Sequence, residues 1–392
     1  MSKRDRLSGN EAVAAAIRQI DPDVVAAFPI TPSTEIPQYI SLFKAEGQIT
    51  TEFITVESEH SAISACLGAQ AAGVRAMTAT SSAGFALMHE VLYVVSSSRL
   101  PIVMAVVNRA LTGPININND HSDSMGSRDC GWLQLYSENA QEAYDNMLMA
   151  HRIAEHPSVR LPIMICQDGF ITSHAVENIV IEDDAAAKAF VGSYDPEVSL
   201  LNPAESLSVG AYGIASYYFE FKRQQAEAVN RAKSVILQVS GEFARLTGRE
   251  YGLIEQYRME DAELAVIVMG SSAGTGKAAV EELRGRGVKA GLIKIRSFRP
   301  FPGAEIADAL KRVKAVGIMD KSDSFSDNGG PLGADVRSAL YMSGAHAAAA
   351  NFIYGLGGRD LRVDDFYEIF DKLKGYSQGE KPEAYSYIGV RE

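Results

Sequence analysis

The sequence predicts an α/β protein, a doubly wound parallel sheet followed by a second α/β domain. Short β-branched, apolar runs alternate with stretches of helical apolar spacing over the first 175 residues, and the alternation resumes near Ala262 after an interval that lacks it. Strands that alternate with helices imply a parallel sheet covered on both faces. Gly9 to Ile20 reads as a helix, Val24 to Phe28 as a strand and Ser33 to Ala45 as a helix. Thr51 to Val56 is a β-branched strand, Ser61 to Gly73 an Ala-, Leu- and Ile-rich helix, and Arg75 to Thr78 a short strand. Gly84 to Val95 follows as a helix, Pro101 to Val107 as a strand, Glu138 to Glu155 as an amphipathic helix and Leu161 to Cys166 as a buried strand.

Residues 176–261 lose the pattern and include an Ala- and charge-rich helix near Ala204 to Ala232. This stretch reads as a connector packed on the first domain, residues 1–175. The second domain, residues 262–392, opens with the strand Leu264 to Met269 and a glycine-rich turn, Gly270 to Lys277, into a helix from Lys277 to Arg286. That turn fails as a phosphate loop, because its glycine spacing is wrong and Ala278 stands where Ser or Thr is needed to ligate Mg²⁺. Ala290 to Ile295 and Val313 to Asp320 are further strands, and Asp327 to Gly333 reads as a turn.

Composition narrows the function classes. A chain of 392 residues, 46% of them hydrophobic, can bury more than one core. No apolar run approaches the roughly 20 residues that span a bilayer, and no signal-peptide core follows the basic start, so the expectation is a cytoplasmic protein off the membrane. A formal charge of −12 argues against nucleic acid on a basic face, and against direct docking of an acidic partner by like-charge repulsion. The three cysteines, Cys66, Cys130 and Cys166, are too widely spaced for a four-thiolate cluster or a disulfide framework. Asn119 to Asp123 does not follow the order of a calcium loop, His89-Glu90 lacks a second histidine, and no metal is assigned to the chain.

Polar groups suited to a small anionic ligand stand where strands turn into helices, the place where open α/β sheets bind ligands. Val56-Glu57-Ser58-Glu59-His60-Ser61-Ala62 puts two acids at such a junction. Being two apart, they cannot both enter one pocket unless the turn begins between them. Glu59 is taken as the functional acid and Glu57 as surface charge, although both also suit the positive end of the following helix. Thr31, within Pro29-Ile30-Thr31-Pro32, offers a hydroxyl but also reads as part of a helix cap. Arg109 offers the planar fork that matches a carboxylate but also reads as a structural ion pair.

Taken together, FPITPST, VESEHSA, TATSSAGFALMHE, LPIVMAVVNRAL, PININNDHSDSM and YSENAQEAYDN resemble the α subunit of multi-subunit 2-oxoacid:ferredoxin oxidoreductases, most closely the pyruvate branch. The resemblance implies a first domain that holds the aminopyrimidine of thiamine diphosphate and a second domain like the C-terminal domain of transketolase. Carried over by motif, it makes Glu59 the catalytic partner of the aminopyrimidine ring nitrogen, and adds Pro29, Ile30 and Ser82 as cofactor contacts. Thr31 and Arg109 become the substrate-binding residues for the 2-oxoacid carboxylate.

The implied reaction is oxidative decarboxylation of pyruvate with coenzyme A to acetyl-CoA and CO2, with electrons leaving through iron–sulfur clusters to ferredoxin. No Gly-Asp-Gly occurs, and the look-alike Gln167-Asp168-Gly169 is followed too soon by Asn178, so the pyrophosphate, Mg²⁺ and a [4Fe-4S] cluster are expected on a β subunit. Further γ and δ chains, in a dimer of heteromers, are expected to bring the rest. Gly113 leaves room for a bulkier substrate, so phenylglyoxylate or 2-oxoisovalerate stays open, as does a non-catalytic assembly scaffold.

Overall fold

The computed structural model describes every residue except Met1, Val198, Glu205, Ala211 and Glu392. Its elements run β1 (Lys3–Leu7), α1 (Gly9–Ile20), β2 (Val24–Ala27), α2 (Glu35–Ala45), β3 (Glu52–Thr55), α3 (Glu59–Ala71), β4 (Ala76–Thr80), α4 (Ser82–Leu87), α5 (His89–Ser97) and β5 (Val103–Asn108). Next come α6 (Ser122–Gly126), β6 (Leu133–Ser137), α7 (Ala140–Ala154), β7 (Ile163–Asp168), β8 (Glu177–Ile181), α8 (Asp184–Val191) and α9 (Tyr218–Thr247). The chain ends with β9 (Ile254–Tyr257), β10 (Leu264–Met269), α10 (Ser272–Gly285), β11 (Ala290–Ile295), β12 (Ser297–Arg299), α11 (Gly303–Ala309), β13 (Ala315–Asp320), α12 (Pro331–Ser343), β14 (Ala348–Ile353), α13 (Val363–Ser377) and β15 (Ser386–Tyr387).

The predicted α/β class holds. A seven-stranded sheet has the order β12-β6-β7-β5-β4-β2-β3, and a six-stranded sheet the order β15-β14-β13-β10-β11-β9. All pairs in the first sheet are parallel except β12 with β6, and all in the second except β9 with β11. The chain steps from β2 outward to β3, then returns to β4 on the other side of β2 and continues to β5. Such a reversal opens a crevice above the carboxyl ends of the strands.

Burial explains the layering. The stripe Ala12, Val13, Ala16, Ile17 and Ile20 of α1, started by a Ser8–Glu11 capping box, packs with α7 and α9 on one face of the first sheet. The opposite face, with Met104, Trp132 and Cys166, shares a core with Ile267, Ile293 and Leu332 of the second unit. The two sheets are thus joined by buried apolar surface, and β12 hands the chain from the second sheet to the edge of the first.

Several expectations needed correction. The long helix is α9, Tyr218–Thr247, well beyond the expected Ala204 to Ala232. Its buried stripe, Ala228, Ala232, Val235, Ile236, Val239 and Phe243, lies mostly past the expected end, and Gly210 and Gly213 precede its start. The helix expected over Gly84 to Val95 is two helices that meet at Met88. The turn expected to run to Lys277 is already helical from Ser272, and α12 begins at Pro331 inside the turn expected to reach Gly333. Residues 176–261 are not patternless: β8 pairs with β1, and α8, α9 and β9 follow. No helix among the described residues is long and apolar enough to cross a membrane.

Candidate active site

The expected groups stand along one crest of the first sheet. Pro29, Ile30 and Thr31 follow β2, Glu59 follows β3, Ser82 follows β4 and Arg109 follows β5. Three inter-strand steps of about 4.8 Å separate the ends of β3 and β5 by roughly 14 Å, and no hydrogen bond or ion pair joins Glu59 to Arg109 among the described residues.

Glu59 is the first residue of α3, whose N-cap Ser58 accepts a hydrogen bond from the Ser61 N–H. The turn therefore begins between the two acids. Glu57 is exposed and hydrogen-bonded to the Ser61 hydroxyl, which lowers its pKa, whereas Glu59 is 6% exposed. The Glu59 carboxylate receives no hydrogen bond or ion pair from any described residue. Gly84 in α4 lies directly against it, since a Cβ at Gly84 would sit 2.3 Å from Glu59 Oε1. His60, beside it, is exposed.

Arg109 is 7% exposed, and among the described residues it has no carboxylate partner for its guanidinium, so it is not a structural ion pair. Nη1 donates to the Thr31 carbonyl at 2.9 Å and Nε to the Asn116 carbonyl at 2.8 Å. Neutral carbonyls orient the fork without cancelling its charge. The Thr31 side chain is exposed and caps nothing; the N-cap of α2 is Thr34, which makes no side-chain cap bond. Ile30 is half-buried, its carbonyl taking the N–H and hydroxyl of Ser33, and Pro29 is exposed.

Asp123 lies in the segment Asn119–Asp123, which reads as a turn and, by the resemblance, as a shaper of the pocket; it ties these ends together. Its carboxylate accepts from the backbone N–H of Ser82 and of Arg109, both at 3.0 Å, from the Asn108 amide at 2.8 Å and from the Ser124 N–H at 2.7 Å. Burial pushes its pKa up to about 6, against the pull of those four bonds. Ser82 has a left-handed φ of +45° and gives its hydroxyl to the Ala110 carbonyl, so it braces the ends of β4 and β5. Gly84 is the residue missed in the sequence, its one signal an isolated glycine in a helical stretch, a mark of close approach; Asp123 and Asn116 were noted by segment, but not the bonds by which they hold Ser82 and Arg109.

Two acidic groupings elsewhere are already satisfied. Asp168, of the look-alike triplet, is fully buried and meets Lys321 Nζ at 2.6 Å, His121 Nε2 at 2.8 Å and the Ser271 N–H at 3.1 Å. Burial alone raises its pKa, but the charges and hydrogen bonds of Lys321 and His121 hold it well below the usual carboxylate range. Glu138, Glu142 and Glu255 bring carboxylate oxygens within 4.8 Å of one another, yet the Lys294 ammonium bonds all three and is itself the cation there.

Comparison with known proteins places the chain in a family. Residues 15–241 match the family described as pyruvate flavodoxin/ferredoxin oxidoreductase, thiamine diphosphate-binding, an α/β oxidoreductase class defined by its cofactor region. Residues 262–366 match pyruvate:ferredoxin oxidoreductase core domain II. The chain belongs to the pyruvate flavodoxin/ferredoxin oxidoreductase family, as the six sequence segments implied. It is 49% identical over 391 residues to pyruvate synthase subunit PorA of Thermotoga maritima, covering 100% of this chain and 99% of that one. It is 43% identical to PorA of Methanocaldococcus jannaschii, with 98% of each covered. Against ketoisovalerate oxidoreductase subunit VorA of Pyrococcus abyssi it is 42% identical, with 94% of this chain and 93% of that one covered. In fold it resembles 2-oxoglutarate:ferredoxin oxidoreductase from Magnetococcus marinus, with a TM-score of 0.75 at 19% identity over 96% of this chain; it spans 65% of that chain's length. A split-gene transketolase shares the fold at a TM-score of 0.55 and 13% identity, with 95% of this chain and all of that one covered.

Proposed function

We propose that the chain is the α subunit of a pyruvate:ferredoxin oxidoreductase, presenting Glu59 to the aminopyrimidine of thiamine diphosphate and Arg109 to the substrate carboxylate. The observation that carries this reading is a pair of buried opposite charges on one sheet crest, neither satisfied by the other nor by any described side chain. The residues fit the aminopyrimidine half of the cofactor, because the Glu59 carboxylate has no partner among the described residues and is packed against Gly84, where no side chain displaces it. They do not supply the pyrophosphate half: Asp168 is committed to Lys321, His121 and Ser271, and the three cysteines are all buried. That half, with Mg²⁺ and a [4Fe-4S] cluster, belongs on a β subunit. Coenzyme A binding and further clusters belong on γ and δ chains, in a cytoplasmic dimer of heteromers. Residues 1–175 form the pyrimidine-binding domain, 176–261 a connector on it whose last strand, β9, joins the second sheet, and 262–392 the transketolase C-terminal-like domain, which lends β12 to the first sheet.

When bound, thiamine diphosphate supplies the carbon nucleophile and the sink for the electron pair that decarboxylation releases. Glu59 Oε1 or Oε2 would share a proton with the aminopyrimidine ring nitrogen. Pro29 and Ile30 would flank the ring, whereas Ser82, expected as a cofactor contact, is fully buried with its hydroxyl on the Ala110 carbonyl and supports the turn instead. Arg109 gives its remaining donors to the 2-oxoacid carboxylate, with the Thr31 hydroxyl beside it.

The test is dye reduction by the native complex with pyruvate, 2-oxoisovalerate and phenylglyoxylate, comparing wild type with Glu59→Gln and Arg109→Ala. Pyruvate is expected to be preferred, Glu59→Gln to lower kcat about 100-fold or more, and Arg109→Ala to raise KM about tenfold or more. Full turnover by Glu59→Gln in a cofactor-loaded complex would refute the assignment, and preference for another acid would relocate the substrate.

A further inference from the structure

The direction of the Arg109 guanidinium depends on a loop, and that loop is set by the second sheet's unit. Arg109 Nε donates to the carbonyl of Asn116, which lies in the irregular stretch 111–118 between β5 and α6. Leu111, Ile115 and Ile117 in this stretch are exposed, so apolar burial does not hold it in place. Polar contacts do. The Asn116 side chain accepts from the Asn118 N–H at 2.6 Å and donates Nδ2 to the Gly357 carbonyl at 3.0 Å. The Gly357 N–H donates to Asp120 Oδ2 at 3.1 Å, and the Ala110 N–H to the Asn118 carbonyl at 3.0 Å. Both polar groups of one glycine, more than 200 positions away in sequence, are thus spent on the loop that carries Arg109's anchor.

The glycines at this contact are required by its shape. Gly355, Gly357 and Gly358 have φ of +65°, +60° and +82°, which side-chain-bearing residues rarely adopt. A Cβ at Gly357 would lie 2.5 Å from Asn116 Nδ2, and one at Gly358 would lie 2.3 Å from Asn118 Cβ. The turn and the loop meet backbone to side chain with no room for an added atom.

Resting on the reading of Arg109 as the carboxylate-binding residue, we propose that the turn 355–358 is a positioning element for substrate binding: it fixes Asn116, and through Asn116 the Arg109 fork. Arg109 has two protein anchors, the carbonyls of Thr31 and Asn116. Freeing one lets the planar fork rotate away from the geometry that meets two carboxylate oxygens at once. Such a loss weakens substrate binding and leaves the chemical step intact, because Glu59 and the cofactor region are not touched.

The experiment is steady-state kinetics on the native complex with pyruvate, together with thiamine diphosphate affinity, for Asn116→Ala, Gly357→Ala, Arg109→Ala and the double variant Asn116→Ala/Arg109→Ala. Asn116→Ala keeps the backbone carbonyl and needs no backbone change, so it carries the test even where Gly357→Ala does not assemble. The expected result is KM raised about tenfold by either loop or turn variant, with kcat and cofactor affinity within roughly twofold of wild type. In the Arg109→Ala background, Asn116→Ala is expected to add nothing. Unchanged KM in Asn116→Ala, a parallel fall of kcat and cofactor affinity, or full multiplication of the two effects in the double variant would each overturn the proposal. The two readings fail separately: Arg109→Ala with normal KM removes the carboxylate assignment, whereas a raised KM in Arg109→Ala alone removes only the positioning role.

Discussion

Asp123 is ionised at neutral pH although almost no water reaches it, because four N–H groups converge on its two oxygens. Its pKa of about 6 lies above its ordinary value of 3.8. The native state therefore takes up this proton before the unfolded chain does, so the group's contribution to stability declines as pH rises from about 4 to about 6 and is constant above. The consequence for substrate binding runs the other way. A protonated carboxyl has one oxygen that donates, and an N–H of Ser82 or Arg109 then loses its acceptor. We expect the KM for pyruvate to rise as pH falls through about 6, and to be high and nearly flat with pH in Asp123→Asn, measured from pH 5 to 8. An unchanged acid limb in Asp123→Asn would assign it to another group, such as Asp320, whose pKa burial also pushes up to about 6. Residues at strand ends, Thr31, Glu59 and Arg109, were legible because hydrophobic runs mark where strands stop. For Asp123 only a place near the pocket was legible, and not its bonds, since an acid in an Asn- and Asp-rich turn looks the same whether it caps a turn or reaches across to two strand ends.

Gly84 joins two elements, α4 and the start of α3, at the point where Glu59 enters the site. A methyl group there meets the Glu59 carboxylate at 2.3 Å, so Gly84→Ala must shift either the acid or the helix. Overpacking of this kind costs roughly 1–3 kcal/mol, which a chain of this size tolerates. We expect Gly84→Ala to assemble with a modestly lower Tm and to lose at least about tenfold in both kcat and thiamine diphosphate affinity. Normal turnover would mean that the glycine serves helix packing alone. At this scale the strands and the early helices were readable because β-branched runs and helical spacing leave separate signatures. The failures have physical causes. β6, Leu133–Ser137, is buried along its whole length and carries no alternation, which parallel strands inside a sheet do not need. β1 is a charged edge strand, Lys3–Leu7, whose partner β8 lies far along the chain. α9 lies beyond the alanine-rich stretch because three- and four-residue apolar spacing, and not alanine content, sets the stripe it buries on α7.

At the scale of the molecule, what sequence reading could not reach is the union of the two sheets. The shared apolar core supplies affinity without direction, and direction comes from buried charge at the junction. Asp168 ends β7, Ser271 follows β10 and Lys321 follows β13; the Lys321 carbonyl also takes the His121 N–H at 2.8 Å. Arg296, fully buried where β11 passes to β12, gives two donors to Asn146 and stacks 5.2 Å from the Tyr251 ring, with burial lowering its pKa to about 10. Removing one member of such a pair strands the other. Lys321→Met leaves the Asp168 carboxylate buried with only His121 and Ser271, a loss of about 3–5 kcal/mol. The pH dependence distinguishes this from a packing defect. In the wild type the depressed pKa of Asp168 contributes stability that is present above its unfolded value and is lost only as pH falls below it. Without Lys321 the same carboxyl rises in pKa and that contribution vanishes. The gap in Tm between wild type and Lys321→Met, measured on the native complex, should therefore narrow as pH falls below about 4, where the wild type loses this contribution, and widen above it up to the raised pKa of the stranded carboxyl, while Asp168→Asn/Lys321→Met recovers part of the loss. A gap that is equal at every pH would mean that Lys321 contributes through its ammonium over the Tyr354 ring, 5.9 Å from the centroid, and not through Asp168.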